Sequence, residues 1–103
     1  MKILNMTPHP ITLLDKNNNV IKILESDGAI RLESKTVEVT QIEGVVITET
    51  VYSGAEPTHT PNVLLIVSQL VKNAFPKRSD LLVPAEVVRD KDGQILGCRS
   101  LGI

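Results

Sequence analysis

Near the start of this 103-residue chain two prolines flank a histidine, in Thr7-Pro8-His9-Pro10. Each proline biases the residue before it to extended geometry, so a stiff backbone presents the Thr7 hydroxyl and the His9 imidazole in fixed directions. Polar groups preorganised in this way suit a binding pocket, because less entropy is lost when a ligand arrives. The same residues also serve a purely architectural end. There, the prolines keep an edge strand from pairing with other chains, and His9 satisfies a nearby carbonyl.

A second candidate lies at Val67-Ser68, a strand-to-helix junction whose free backbone N–H groups suit phosphate or carboxylate. Simple N-capping by Ser68 accounts for the same residues without a ligand. No glycine-rich loop precedes the helix, so no nucleoside-triphosphate cradle is indicated. A third candidate is Pro76-Lys77-Arg78-Ser79-Asp80-Leu81, together with Arg89-Asp90 and Arg99-Ser100. Three of the four arginines fall in the last quarter of the chain, and the planar guanidinium fork fits phosphate or carboxylate. Against this stands ordinary surface pairing, of Arg78 with Asp80 or of Arg89 with a neighbouring acid.

Other chemistry finds less support. Cys98 would need His9 or His59 to deprotonate it, but neither spacing nor a local motif links them, and a buried, inert thiol on an apolar strand is the expectation. Two histidines without a second cysteine or a carboxylate at ligand spacing make no zinc signature, so neither metal nor cofactor is expected. Asp90 and Asp92 are explained as turn formers, which leaves no carboxylate pair for acid–base catalysis.

The elements that must position these residues are short strands. Lys2 to Leu4 is an apolar run, and Ile11 to Leu14 and Val20 to Leu24 form a hairpin across an Asn-rich turn at Asp15 to Asn19. After Ser26-Asp27-Gly28 the pattern resumes at Ala29 to Leu32. Thr36 to Ile42 then alternates in part, with Val37 and Val39 on one side and Glu38 and Thr40 on the other. Glu43-Gly44 breaks that strand, Val45 to Tyr52 is the next, and the region is expected to run as antiparallel meanders. Ser53 to Pro61 has no apolar periodicity and has the length of a functional surface loop. Asn62 to Val67 is a buried strand. A helix starting at Ser68 has Leu70, Val71 and Ala74 at helical spacing and is stopped by Pro76 after about two turns. Leu81 to Arg89 and Gln94 to Leu101 flank the hairpin turn Asp90-Lys91-Asp92-Gly93. The predicted fold is therefore mainly β (α+β): an antiparallel meander sheet or small barrel with one short helix near 68–75 and a C-terminal hairpin. With no repeat or linker, residues 1–103 form a single domain.

Composition sets the outer bounds. The apolar share is 42%, drawn from Ile, Val and Leu, with Tyr52 and Phe75 the only aromatics. Such branched side chains favour half-buried strands. Eleven Lys plus Arg against twelve Asp plus Glu give a formal charge of −1 with no basic cluster, which argues against polymeric nucleic acid. Two scattered rings cannot stack successive bases, so any bound nucleotide would be small. A single cysteine, and the lack of a leader or long apolar run, point to the cytoplasm and away from a membrane.

Both ends of the chain carry a resemblance. Leu4-Asn5-Met6-Thr7-Pro8-His9 opens the chain, and Ile66-Val67-Ser68 and Ala74-Phe75-Pro76-Lys77-Arg78-Ser79-Asp80-Leu81 follow later. Then come Val83-Pro84, Val88-Arg89-Asp90, Gly93 and Ile95-Leu96-Gly97-Cys98-Arg99-Ser100-Leu101. This resembles small uncharacterised proteins of bacteriophages and prophages with an Asn-x-Thr-Pro-His start and a Pro-x-Arg-x-Asp-Leu and Gly-Cys-Arg ending. The match covers the first ten residues and roughly the last forty, and Ile11 to Pro61 fall outside it. Phage genomes encode small oligomeric proteins that capture the nucleotide signals of bacterial immunity, so the resemblance implies an anti-defence role in the host cytoplasm. The matching polar residues are Asn5, Thr7, His9, Ser68, Arg78, Asp80, Arg89, Asp90 and Arg99. They would converge on one pocket if the N-terminal strand paired near the C-terminal hairpin.

The leading expectation is a non-enzymatic protein that binds, and sequesters, a small anionic, nucleotide-like molecule. Its ligand-binding residues would be Asn5, Thr7, His9, Ser68, Arg78, Asp80, Arg89 and Arg99, with no catalytic residue. A small phosphodiesterase or other hydrolase with His9 as acid or base is the first alternative. A structural or protein-interaction module, marked by arginines that do not converge, is the second. Open strand edges lead to an expected homo-oligomer, a symmetric dimer or larger.

Overall fold

A computed structural model describes the whole chain, Met1–Ile103. Its elements are β1 (Lys2–Asn5), β2 (Ile11–Leu14), β3 (Val20–Leu24), β4 (Glu33–Ile42), β5 (Val45–Ser53), β6 (Val63–Ile66), α1 (Gln69–Ala74), β7 (Leu81–Arg89) and β8 (Ile95–Gly102). The fold is mainly β, with one short helix and a C-terminal hairpin where the local turn and cap signals place them. Six strands form one open sheet in the order β1-β6-β7-β8-β2-β3, and β4 pairs only with β5. No helix is long and apolar enough to cross a membrane.

Two features depart from a continuous meander. The pairings β1 with β6, β6 with β7, and β2 with β8 are parallel. Parallel pairs join segments distant in sequence, so no hairpin signal announces them. The second departure is β4–β5, which leaves the sheet as a separate two-stranded arm.

The core is thin and lies around β6 and β7. The run Val63 to Val67 is apolar throughout because a strand with parallel neighbours is covered on both faces. Period-two alternation sends Leu65 and Val67 to one face, where they pack with Leu81 and with Val71 of α1. Ile66 points the other way and packs with Ile11, Leu82 and Cys98. The helix holds its place by capping: the Ser68 hydroxyl accepts from the Val71 N–H at 3.3 Å.

A single buried side chain fastens the rim of this sheet. Asn5 is 1% exposed. Its Nδ2 donates to the carbonyls of His9 (2.8 Å) and Leu24 (3.0 Å), and its Oδ1 accepts from the Thr7 N–H (3.0 Å) and the Thr7 hydroxyl (2.6 Å). Both donors and both acceptor sites of the carboxamide are thereby filled. Because Leu24 ends β3 and Asn5 ends β1, one side chain clasps the two opposite edge strands of the curled sheet. The backbone reinforces the clasp, since Asp27 N donates to Asn5 O at 2.8 Å and Ile30 N to Met6 O at 3.0 Å.

The arm is built differently. Its two-residue turn, Glu43-Gly44, has positive φ at both positions (53° and 81°), the geometry that matches strand twist in a hairpin. Val37 faces Glu49, and Ile42 faces Val45, but the register shifts between Glu38 and Thr40. Val39 is the extra residue of this bulge, so it does not continue the Val37 side as simple alternation predicts. The bulge returns Ile42 to the face of Val37, so one face gathers Val37, Ile42, Val45, Ile47 and Val51 around Lys35, Thr40 and Glu49. The opposite face carries Ser34, Thr36, Glu38, Gln41, Val46, Thr48, Thr50 and Tyr52. At the root, Gly54 has φ 133°, and a Cβ there would meet Leu32 Cδ2 at 2.6 Å and the Arg31 carbonyl at 3.2 Å.

The clasp leads to a ranked expectation. Asn5→Ala should cost about 3 kcal/mol, because buried carbonyls and an N–H lose their partners. Asn5→Asp should cost more, because it sets a carboxylate against two carbonyls. Equilibrium denaturation checks the order, and an unchanged midpoint in Asn5→Asp would contradict the clasp.

Candidate functional site

The residues singled out in the sequence fall in three places. Asn5, Thr7 and His9 form the clasp, and they use the Thr7 hydroxyl and the His9 carbonyl rather than the imidazole, which lies on an exposed residue. Ser68 caps α1 and lines a recess of about 370 Å³ with Pro8, Arg31 and Glu33. Arg78 and Asp80 precede β7, and Arg89 ends it. Nine strand residues separate the two ends of β7, a span of about 27 Å at about 3.4 Å per residue. Arg99 sits on β8, where its Nε and Nη2 donate to Asn18 Oδ1 at 3.0 and 2.7 Å, and Arg89 Nη1 donates to Gly93 O at 3.0 Å.

The three arginines therefore serve three different turns. Convergence required β1 to pair near the C-terminal hairpin, and β1 instead pairs with β6 at the sheet edge. Asp90 is occupied as a turn former, accepting from the amides of Asp92 (2.8 Å) and Gln94 (3.0 Å). Cys98 is 2% exposed within the core, and burial pushes its thiol up, away from thiolate reactivity.

Arg78 is the centre of a polar constellation that joins two loops distant in sequence. Its backbone is fixed first: the N–H donates to Phe75 O at 3.1 Å, and the carbonyl accepts from Lys72 Nζ at 2.9 Å. The guanidinium then meets Asp80 side-on, Nε to Oδ1 at 2.9 Å and Nη2 to Oδ2 at 2.6 Å. Its Nη1 donates to the carbonyl of Pro57, a buried residue of the 53–61 loop, and lies 3.7 Å from Glu56. One arginine thus staples the loop before β6 to the loop before β7.

Burial sharpens that pair. Asp80 is 8% exposed, and the hydrogen bonds from Arg78 hold its carboxyl below the usual carboxylate range. Desolvation pushes the other way, while the charges of Arg78 and His59 add to the lowering. Asp80 in turn raises Arg78. The guanidinium is largely committed to protein partners, which makes it a scaffold for its neighbours more than a free anion receptor.

Those neighbours line a cleft of about 560 Å³ formed by Glu56, Pro57, Thr58, His59, Lys77, Arg78, Ser79 and Asp80. It opens at the amino ends of β6 and β7, and none of its lining residues is hydrophobic. Lys77, His59, Thr58 and Ser79 present an ammonium, an imidazole and two hydroxyls to a small polar guest. Thr58 and His59 were not selected as binding residues from sequence, and Lys77 and Ser79 lay in the third candidate run without being chosen as ligand contacts. The available signals were the length of the 53–61 loop and the charged run 77–80, and neither says that the two meet. Compared with protein-family models, curated proteins and solved structures, the chain matches none.

Because the folded-state carboxyl of Asp80 is depressed, its contribution to stability is full at neutral pH. It is lost as pH falls from about 5 down through the lowered value. Asp80→Asn should therefore destabilise the protein by about 2 kcal/mol at pH 7, a partly exposed pair counting for less than a fully buried one. The gap from wild type should close in acid. Denaturant titrations from neutral pH into acid check this, and a gap independent of pH would mean that the pair does not carry the effect.

Proposed function

We propose that the chain is a non-enzymatic binding protein for a small anionic, nucleotide-like molecule, held by its anionic group in the cleft between 56–59 and 77–80. The observation that carries this reading is the Arg78 staple. It fixes two loops before any ligand arrives and leaves the Lys77 ammonium, the His59 imidazole and the hydroxyls of Thr58 and Ser79 facing one opening. Preorganised donors bind with less loss of entropy, and a cleft of this size admits a mononucleotide or a small cyclic nucleotide rather than a polymer. Lys77 supplies the attraction as a compact charge. Arg78, already bound side-on to Asp80, supplies rigidity. In the setting implied by the resemblance to phage proteins, stoichiometric capture of such a molecule would remove a signal from a bacterial host.

Isothermal titration with pyrophosphate, a mononucleotide and a cyclic dinucleotide tests the reading. Binding of at least one probe should weaken about tenfold in Lys77→Ala and in His59→Ala, and should fall with added salt. Chromatography of the mixture separates capture from hydrolysis. Unchanged ligand after long incubation supports capture, and a cleaved product moves the assignment to a hydrolase. Absence of binding for all three probes, or binding indifferent to both variants, overturns the assignment of this cleft.

A further inference from the structure

The chain exposes far more surface than its mass calls for. Its accessible area is 7255 Å², against about 5,700 Å² for a compact monomer of this mass, an excess of roughly 1,500 Å². Its radius of gyration is 16.8 Å, against about 13 Å for a compact chain of this length. Much of the discrepancy lies in residues 33–53. Not one of them is buried, and only Val37 and Tyr52 are even half-buried. A two-stranded hairpin is marginal in water by itself, yet one face of this one gathers Val37, Ile42, Val45, Ile47 and Val51 around Glu49, Lys35 and Thr40. On that face Ile42, Val45, Ile47 and Val51 are 59, 60, 40 and 45% exposed.

A second apolar surface, on the body, is also unpartnered. Val87, Ile95 and Leu96 are 42, 62 and 51% exposed and border a groove of about 190 Å³ that continues to Pro10. Arg89 stands opposite Ile95 in the β7–β8 register, two residues along β7 from Val87 and on its face. The arm and the rest of the chain carry opposite net charge. The arm carries Glu33, Glu38, Glu43 and Glu49 against Lys35, a formal −3, which leaves the rest of the chain at +2 within the total of −1. Two arms laid face to face would bring −3 against −3. An arm laid on a body brings −3 against +2 instead, with Arg89 beside the apolar seat. A negative arm likewise suits neither nucleic acid nor an anionic lipid surface.

We infer that residues 33–53 are an assembly arm whose apolar face seats on the Val87–Ile95–Leu96 surface of a second copy of this chain, with Arg89 meeting the arm's glutamates. The area agrees with reciprocal exchange. A stable interface takes about 800 Å² from each partner, so a copy that both gives its arm and receives another's covers about 1,600 Å², close to the excess. The inference is independent of the anion-binding cleft, which uses neither surface.

Sedimentation velocity on the full chain at micromolar concentration tests it. Wild type should sediment as a dimer or larger, and Ile47→Asp, with a damaged arm, and Ile95→Asp, with a damaged seat, should each raise the dissociation constant about 100-fold. An equimolar mixture of the two variants should recover a two-chain complex, because the intact arm of one finds the intact seat of the other. Both positions are exposed, so circular dichroism should show each variant folded, and Lys77→Ala should assemble like wild type. A monomeric wild type overturns the inference. So does a folded Ile95→Asp that assembles normally, or a mixture that stays monomeric.

Discussion

The fold depends on satisfying one buried carboxamide. A six-stranded sheet that stays open has two edges, and here they are β1 and β3, which never form a ladder with each other. Asn5, on β1, stands in for the missing ladder with four hydrogen bonds, one of them crossing the gap to the Leu24 carbonyl of β3. An aliphatic residue of the same size would fill the space and leave those carbonyls bare, and an acid would repel them. The Asn-x-Thr-Pro-His run is therefore explained largely by architecture. Thr7 completes the acceptor side of Asn5, Pro8 and Pro10 hold the bend, and His9 contributes its backbone.

What was legible in the sequence was whatever local chemistry determines. The hairpin turns at 15–19 and 90–93, the Ser68 cap and the stop at Pro76 each carry their own cue and lie where that cue puts them, and the apolar run expected from Asn62 is covered from Val63 to Val67, with Asn62 in the turn before it. Parallel pairing and detachment carry none. Alternation in 36–42 and the β-branched run in 45–52 look the same whether a strand's covered face meets its own sheet or something else, so the arm reads as part of a meander. Only the bulge at Val39, invisible to a strict period of two, keeps Val37 and Ile42 on one side across an irregularity.

The binding residues follow the same division. Arg78 and Asp80 were legible as a polar pair two residues apart, and the structure adds that their partner is the Pro57 carbonyl, 21 residues upstream. His59 and Lys77 gain meaning only through that contact. Conversely, Arg78, Arg89 and Arg99 look like one group when counted along the chain, and the length of β7 pulls the first two apart. Proximity in sequence is a poor guide to proximity in a β protein, where each strand carries the chain across the molecule.

The joint at Gly54 has a mechanical consequence. Packed against Leu32 and the Arg31 carbonyl, it leaves little room for the arm to swing. The arm is about 30 Å long, so a turn of about 10° at its root would move the tip about 5 Å, one full strand spacing. Small angles at the hinge thus become whole-register displacements at the far end. If copies join through such levers, that angle sets whether they close into a finite ring or continue as an open filament.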